Sequence, residues 1–142
     1  TLAGTSAEVI YEDIRRIFAQ LTGQTQGLVD QEASLTLAMS PAVSATLDKT
    51  NTYNVNVMDM IKKNYPNLTI ITAPEYATAS GQLVQMICRE YEGQETATCA
   101  FGEKLRAFPL ILGHSNYSQK KAQTSFGCVI YRPVMIASMV GV

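Results

Sequence analysis

Residues 53–76 constrain the fold most, because this stretch encodes a helix, a stop and a strand in close succession. Asn56 is placed to cap the helix, since its side-chain oxygen can accept a hydrogen bond from a free backbone N–H of the first turn. Pro66 cannot continue a helix and restricts the residue before it. Residues 68–73 then predict a half-buried or fully buried strand, closed by Pro74. Apolar side chains recur at helical spacing in the helix at Val57, Met58, Ile61 and Tyr65.

A longer helix is predicted upstream, over residues 5–23. The Thr5-to-Glu8 pattern is typical of a capping box, and Gly23 is the predicted C-cap. Glu12 and Arg16 are spaced for an ion pair on the outer face. The inner face is predicted from the apolar side chains Ile10, Ile14, Ile17, Phe18 and Leu21.

The next segment predicts a strand followed at once by a helix. Residues 34–39 alternate apolar and small polar side chains, which predicts a strand with one buried face. Ser40 is the predicted cap of the helix and Pro41 its first residue, a position that suits proline. Val43 and Leu47 form its short apolar stripe.

The C-terminal half is richer in strands. Residues 83–91 and 95–101 flank a turn at Glu92-Gly93 and predict a hairpin. Residues 102–113 are irregular and support no assignment, whereas 126–131 predict an apolar strand. Residues 134–142 are almost wholly apolar and must dock, because leaving each large side chain in water forgoes roughly 1.5–3 kcal/mol. The predicted fold class is α+β, a mixed β-sheet flanked by helices.

Composition narrows the class of protein. The chain has 142 residues and a net charge of −1, which suits one domain, with or without an appendage. No basic field indicates nucleic acid or anionic lipid, no apolar run is long enough for a membrane span, and no signal peptide precedes the domain. Cys88, Cys99 and Cys128 form no CxxC pair, which argues against a disulfide framework or a zinc site and for a reducing compartment. We expect all three to pack in the core.

Two patterns suggest catalysis, each with a plainer interpretation. His114, the only histidine, would need a nucleophile and an acid such as Cys99 and Glu103, and no local signature supports that pairing. A turn or surface histidine is the favoured interpretation. Thr1 suggests an N-terminal nucleophile, but a cleavage boundary fits better with the helix that follows it.

Ligand and metal motifs are also weak. Lys104, Arg106, Lys120 and Lys121 could contact phosphates, but without interleaved aromatic residues they predict a solvated strand face. The sequence contains neither GxGxxG nor a P-loop, and its acidic residues form no metal cluster. We therefore expect no catalytic residue, no metal, no cofactor and no small-molecule substrate.

From Met39 onward the sequence resembles the major capsid proteins of tailed double-stranded DNA bacteriophages and prophages. The order and spacing of several motifs over about 100 residues carry the resemblance. They are Ser40-Pro41 before a helix, Asn56-Val57-Met58, Asn64-Tyr65-Pro66-Asn67-Leu68, Pro74-Glu75-Tyr76, Tyr117-Ser118-Gln119-Lys120, and the closing run 125–133 that leads to Gly141-Val142.

The resemblance implies the capsid fold first described for the phage Hong Kong ninety-seven. On that mapping, residues 1–32 are similar to a peripheral-domain helix and loop, 33–114 to the axial domain, and 115–142 to a strand that returns to the peripheral region. The N-terminal arm, extended loop and spine helix of that fold have no counterpart here. The resemblance therefore implies the C-terminal portion of a capsid subunit.

The resemblance implies a structural protein of the virion shell that self-associates, with assembly in the host cytoplasm. Its partners would be other copies of the subunit, with no membrane and no sequence-specific nucleic acid. A small hydrolase using a cysteine or Thr1, and an oligomeric binding module, are the alternatives. Without the arm and loop, we expect this chain alone to be monomeric or weakly oligomeric, because association must overcome roughly 4–15 kcal/mol of lost rigid-body freedom.

Overall fold

The computed structural model describes residues 6–141, which divide into two compact units. The core unit comprises the described residues up to Thr96 and from Arg132 onward. The second unit, Ala97–Tyr131, is called the ribbon below. The peripheral and axial boundaries taken from the resemblance remain a prediction.

The described residues form short helices and many strands. The helices are α1 (Ala7–Gln24), α2 (Pro41–Thr46) and α3 (Val57–Asn64), with 3₁₀ turns at Pro74–Tyr76 and Pro133–Met135. The strands are β1 (Leu35–Met39), β2 (Thr69–Thr72), β3 (Ala77–Thr78), β4 (Gly81–Cys88), β5 (Glu90–Tyr91), β6 (Gln94–Glu95), β7 (Ala97–Ala107), β8 (Ile111–Leu112), β9 (Tyr117–Ser118), β10 (Lys121–Ile130) and β11 (Ile136–Val140). No helix within residues 6–141 is both long enough and apolar enough to cross a membrane.

The main sheet of the core unit has the strand order β11-β4-β1-β2, and β3 adds to β4. β1 and β2 are parallel, whereas β4 runs antiparallel to both β1 and β11. The sheet is therefore mixed, and the predicted α+β class is confirmed. The apolar C-terminal segment docks as predicted, because β11 joins the sheet and buries Ala137 completely.

Helix α1 packs the predicted apolar face into the core, where Ile10, Ile14, Ile17 and Leu21 are buried. Its N-cap is Ser6, and the Thr5 of the predicted capping box lies outside the described residues. The remaining predicted apolar residue, Phe18, is partly buried and packs its ring against Tyr65, with centroids 4.9 Å apart. Sequence periodicity therefore placed this helix correctly.

Both details predicted for the exposed side and end of α1 are wrong. The ion pairs join Arg15 to Glu12 at 2.9 Å and Arg16 to Asp13 at 3.6 Å, at i,i+3 spacing, rather than Glu12 to Arg16. Gly23 does not end the helix, which continues to Gln24 and is capped by Thr25. The Thr25 N–H and hydroxyl both donate to the Leu21 carbonyl, at 3.0 and 2.9 Å, and so extend the last turn.

The two predicted side-chain caps are confirmed. Ser40 Oγ accepts from the Val43 N–H at 3.3 Å, and Asn56 Oδ1 accepts from the Met58 N–H at 2.9 Å. Strand β1, however, is buried on both faces, including Thr36 and Ala38, rather than on one. It lies between β2 and β4, and the small side chains of its second face are readily buried. Edge strand β2, predicted to be half-buried or fully buried, is mostly exposed, and only Ile70 of its four residues is partly buried.

The hairpin prediction is correct only at its tip. β5 and β6 pair around Glu92-Gly93, but β7 turns away and pairs with β10, not with β4. β7 also continues to Ala107, into the segment that the sequence left unassigned. The prediction that all cysteines are core residues is wrong for two of them. Cys88 is buried in β4, whereas Cys99 and Cys128 are exposed on the ribbon, whose strands form no buried layer.

Candidate functional site

The ribbon is the most unusual surface of the chain, because it is apolar and almost entirely exposed. From Phe101 to Tyr131 every residue is exposed except Phe108 and Ala122, which are half-buried. The ribbon nevertheless holds ten of the seventeen exposed large hydrophobic side chains among the described residues. They are Phe101, Leu105, Leu110, Ile111, Leu112, Tyr117, Phe126, Val129, Ile130 and Tyr131. Apolar surface concentrated in this way marks an interaction site.

The long strands of the ribbon are paired in a register with a bulge in its middle. β7 and β10 are antiparallel, and the register shifts between Ala122 and Gly127. Gly127 has φ +82°, a left-handed conformation that suits glycine at a bulge. From Gly127 to Ile130 the pairing with β7 is continuous.

An aromatic side chain covers the ribbon backbone next to this bulge. The Phe126 ring lies over Gly102, so that a Cβ atom on Gly102 would stand 2.6 Å from Phe126 Cε2. The same Cβ would be 3.4 Å from the Thr124 methyl group. Because glycine has no side chain, the ring can pack directly on the backbone of β7 at position 102, on a strand that has no buried layer.

Cationic side chains flank the half-buried ring of Phe108. Arg106 lies 5.1 Å and Lys120 lies 5.7 Å from the ring centroid. The Phe108 N–H donates to the Lys120 carbonyl at 2.9 Å, and Gln119 donates to the Phe108 carbonyl at 3.0 Å. These contacts join the segment that follows β7 to the segment that precedes β10. They also place cation–π pairs at an exposed site.

The core-unit residues that flank the ribbon are well fixed. Thr96 is fully buried; its hydroxyl donates to the Cys88 carbonyl and its N–H donates to the Arg89 carbonyl at 2.9 Å. Arg132 donates to the Tyr91 carbonyl at 3.2 Å and to Gln94 Oε1 at 2.5 Å. The chain therefore leaves and re-enters the core unit through ordered residues.

The structure does not assemble the residues proposed for catalysis. His114 is exposed in the turn between β8 and β9. Cys99 and Glu103 lie four positions apart on β7, a span of about 13 Å along a strand. Glu103 instead faces Arg106 at 3.9 Å. Thr1 lies outside the described residues.

The other weak candidates are equally dispersed. Lys104, Arg106, Lys120 and Lys121 are all exposed on the ribbon, where Arg106 and Lys120 contact the Phe108 ring. Within residues 6–141, no group of three or more His, Cys, Asp or Glu side chains could hold a metal ion. The surface that the structure does assemble is apolar.

The fold is shared with proteins of viral shells. A chain of the solved capsid of the Myoviridae phage XM1 matches with a TM-score of 0.83 and 12% identity, over 100% of this chain and 49% of that chain. A virus-like particle from Pyrococcus furiosus matches with a TM-score of 0.62 and 12% identity, over 95% of this chain and 53% of that chain. This chain thus spans about half the length of the shell proteins that it matches. The fold is that of a capsid protein.

A family model described as Pa193 gp26 major capsid protein matches residues 3–141. The chain belongs to this family of phage major capsid proteins, and the resemblance drawn from its sequence is confirmed. A comparison with curated proteins found no match. The family model and the shared fold therefore agree.

Sequence reasoning missed the ribbon as a surface. It treated 95–101 and 126–131 as separate strands and gave 102–113 no assignment. The available signal was the apolar content of this stretch, where Leu105 and the run Leu110–Leu112 follow neither helical nor strand periodicity.

Proposed function

We propose that this chain is the self-associating portion of a shell subunit and that its ribbon is a contact surface between copies. The observation that carries the proposal is the concentration of exposed apolar side chains on the ribbon. The proposed partners are other copies of the subunit, in the virion shell, after assembly in the host cytoplasm. The proposed role is structural and not catalytic.

Energetics support the ribbon as this surface. Burial of apolar area contributes about 25 cal/mol per Å², so Leu105, Leu112 and Phe126 would each contribute substantially when covered. They are 64%, 79% and 72% exposed in the free chain. A subunit of a closed shell also presents different surfaces to its neighbours, and an exposed two-stranded segment suits such heterologous contacts.

The charged groups of the ribbon complement this role. Glu103, Lys104, Arg106, Lys120 and Lys121 lie among the apolar side chains. Interfaces typically surround an apolar centre with a polar rim, which fixes orientation more than it adds affinity. The ribbon offers both parts of such an interface within one segment.

The test is the concentration dependence of self-association. Sedimentation velocity of the wild-type chain, from micromolar to the highest soluble concentration, is expected to show weak reversible oligomers. The double variant Leu105→Lys with Leu112→Lys is expected to lower the association constant at least about tenfold, since the two lost contacts together exceed about 1.4 kcal/mol.

A matched control carries the same added charge on the core unit. Leu28→Lys with Tyr53→Lys replaces two side chains that are 53% and 85% exposed and lie outside the ribbon. Association that both variants weaken equally would contradict the ribbon as the contact surface. A hydrolase activity that is lost in a folded Cys99→Ser variant would contradict the structural role.

A further inference from the structure

Cys99 and Cys128 lie directly opposite each other on the two long strands of the ribbon. They fall in the part of the register that follows the bulge, where Gly127, Cys128, Val129 and Ile130 pair in unbroken order with β7. Both thiols are free and exposed. Nothing in the capsid role described above uses them.

Directly opposed positions have the Cα spacing that a disulfide requires. Opposed residues of an antiparallel pair have Cα atoms about 4.5–5.5 Å apart, and their side chains lie on the same face. A disulfide needs Cα atoms about 4.4–6.8 Å apart. Cys99 and Cys128 can therefore be joined without a change of strand register.

We propose that Cys99 and Cys128 are a redox-active pair that forms an intrachain disulfide across the ribbon. The bond links β7 to β10 and leaves the apolar side chains in place. It stabilises a segment that has no buried core of its own. The spacing of the cysteines along the sequence argued against a disulfide, because it does not reveal which residues are paired across the strands.

The chemistry needs an oxidant, and a small disulfide such as oxidised glutathione supplies it. The thiolate of one cysteine attacks the glutathione disulfide, breaks its S–S bond and releases one glutathione thiolate. The second cysteine then attacks the protein sulfur of the mixed disulfide and releases the other glutathione. The cysteine pair loses two electrons, glutathione disulfide gains them, and the two thiol protons go to the two released thiolates.

Cys88 provides an internal contrast. It is fully buried in β4, and its thiol donates to the Glu90 carbonyl at 3.4 Å. Burial raises the pKa of the Cys88 thiol, which lowers the fraction of reactive thiolate. Oxidation of the folded chain should therefore spare this residue.

The experiment exposes the purified, folded chain at low micromolar concentration to oxidised glutathione. Free thiols are then alkylated in denaturant and located by peptide mass spectrometry. The wild type is expected to fall from three free thiols to one, at Cys88, while remaining a single chain. Amide exchange in β7 and β10 is expected to slow at least about tenfold on oxidation.

The single variants Cys99→Ser and Cys128→Ser are the matched controls. Each is expected to carry glutathione on the remaining exposed thiol and to show no slowing of exchange. Three thiols that persist in the wild type, or bonds that form mainly between chains, would overturn the proposal. So would an intrachain bond that leaves exchange of the ribbon unchanged.

Discussion

Gly81 and Gly141 approach so closely that a Cβ atom on Gly81 would stand 2.8 Å from the Cα of Gly141. The contact joins the start of β4 to the end of β11, where the Gly141 N–H donates to the Gln82 carbonyl at 3.0 Å. Gly81 also has φ +118°, which other residues rarely adopt. Gly81→Ala is therefore expected to lower the free energy of unfolding by about 1–3 kcal/mol in urea denaturation.

Gly93→Ala is the control for this prediction. Gly93 also has a positive φ, +73°, but a Cβ atom there would meet nothing within 4 Å. The Gly93→Ala variant therefore measures only the free-energy cost of placing alanine at a positive φ. An equal loss of stability in the two variants would show that the close approach to Gly141 has no energetic effect.

Truncation of core and edge side chains should have unequal costs. Leu47 is 1% exposed and belongs to the core, so Leu47→Ala is expected to cost about 2–5 kcal/mol. Ile70, on edge strand β2, is half-buried. Ile70→Ala is expected to cost less than half as much, although apolar periodicity alone predicts equal losses. Equal destabilisation in thermal or chemical unfolding would mean that β2 is covered on its outer face.

The cap of α2 can be tested with two serines of the same segment. Ser40→Ala removes the oxygen that accepts from the Val43 N–H and is expected to cost about 0.5–2 kcal/mol. Ser44→Ala, inside the helix, is expected to be neutral or slightly stabilising, because alanine is the better helix former. Circular dichroism during urea unfolding compares the two. A Ser44 variant that is as unstable as the Ser40 variant would contradict the cap.

Alkaline pH should destabilise the core unit through Tyr65. Burial, chiefly, raises the pKa of the Tyr65 phenol, so the folded state favours the neutral form. This contribution is full below the unfolded pKa of about 10 and is lost as pH rises through the higher folded pKa. Tyr65→Phe keeps the ring against Phe18 and should make stability less dependent on pH above about 10. Exposed Tyr53→Phe should leave the wild-type dependence unchanged.

The core unit could largely be predicted, because its elements obey local rules. Ser40 and Asn56 cap the helices that they were expected to cap, and the α1 stripe is buried as its spacing indicates. Two of the errors arose where the sequence offers more than one local solution. Arg16 could reach a carboxylate at i−4 or at i−3, and Gly23 could end a helix that Thr25 caps instead.

The ribbon was missed, because the patterns that predict strands depend on the burial of side chains. Strand periodicity reflects burial of one face, and β7 buries neither. The same reason misplaced Cys99 and Cys128, whose apolar neighbours suggested a core. Their opposition is a property of register, which the bulge near Gly127 sets and the sequence pattern does not reveal.

The hydrogen bond from the Arg132 N–H to the Thr96 carbonyl, 3.4 Å long, brings together the two points where the chain enters and leaves the ribbon. Thr96 and Arg132 are therefore as close together in the core unit as two residues joined by a short turn. The entropy of closing a loop grows only logarithmically with its length. The ribbon can therefore lengthen, shorten or exchange side chains at little cost to the folding of the core unit.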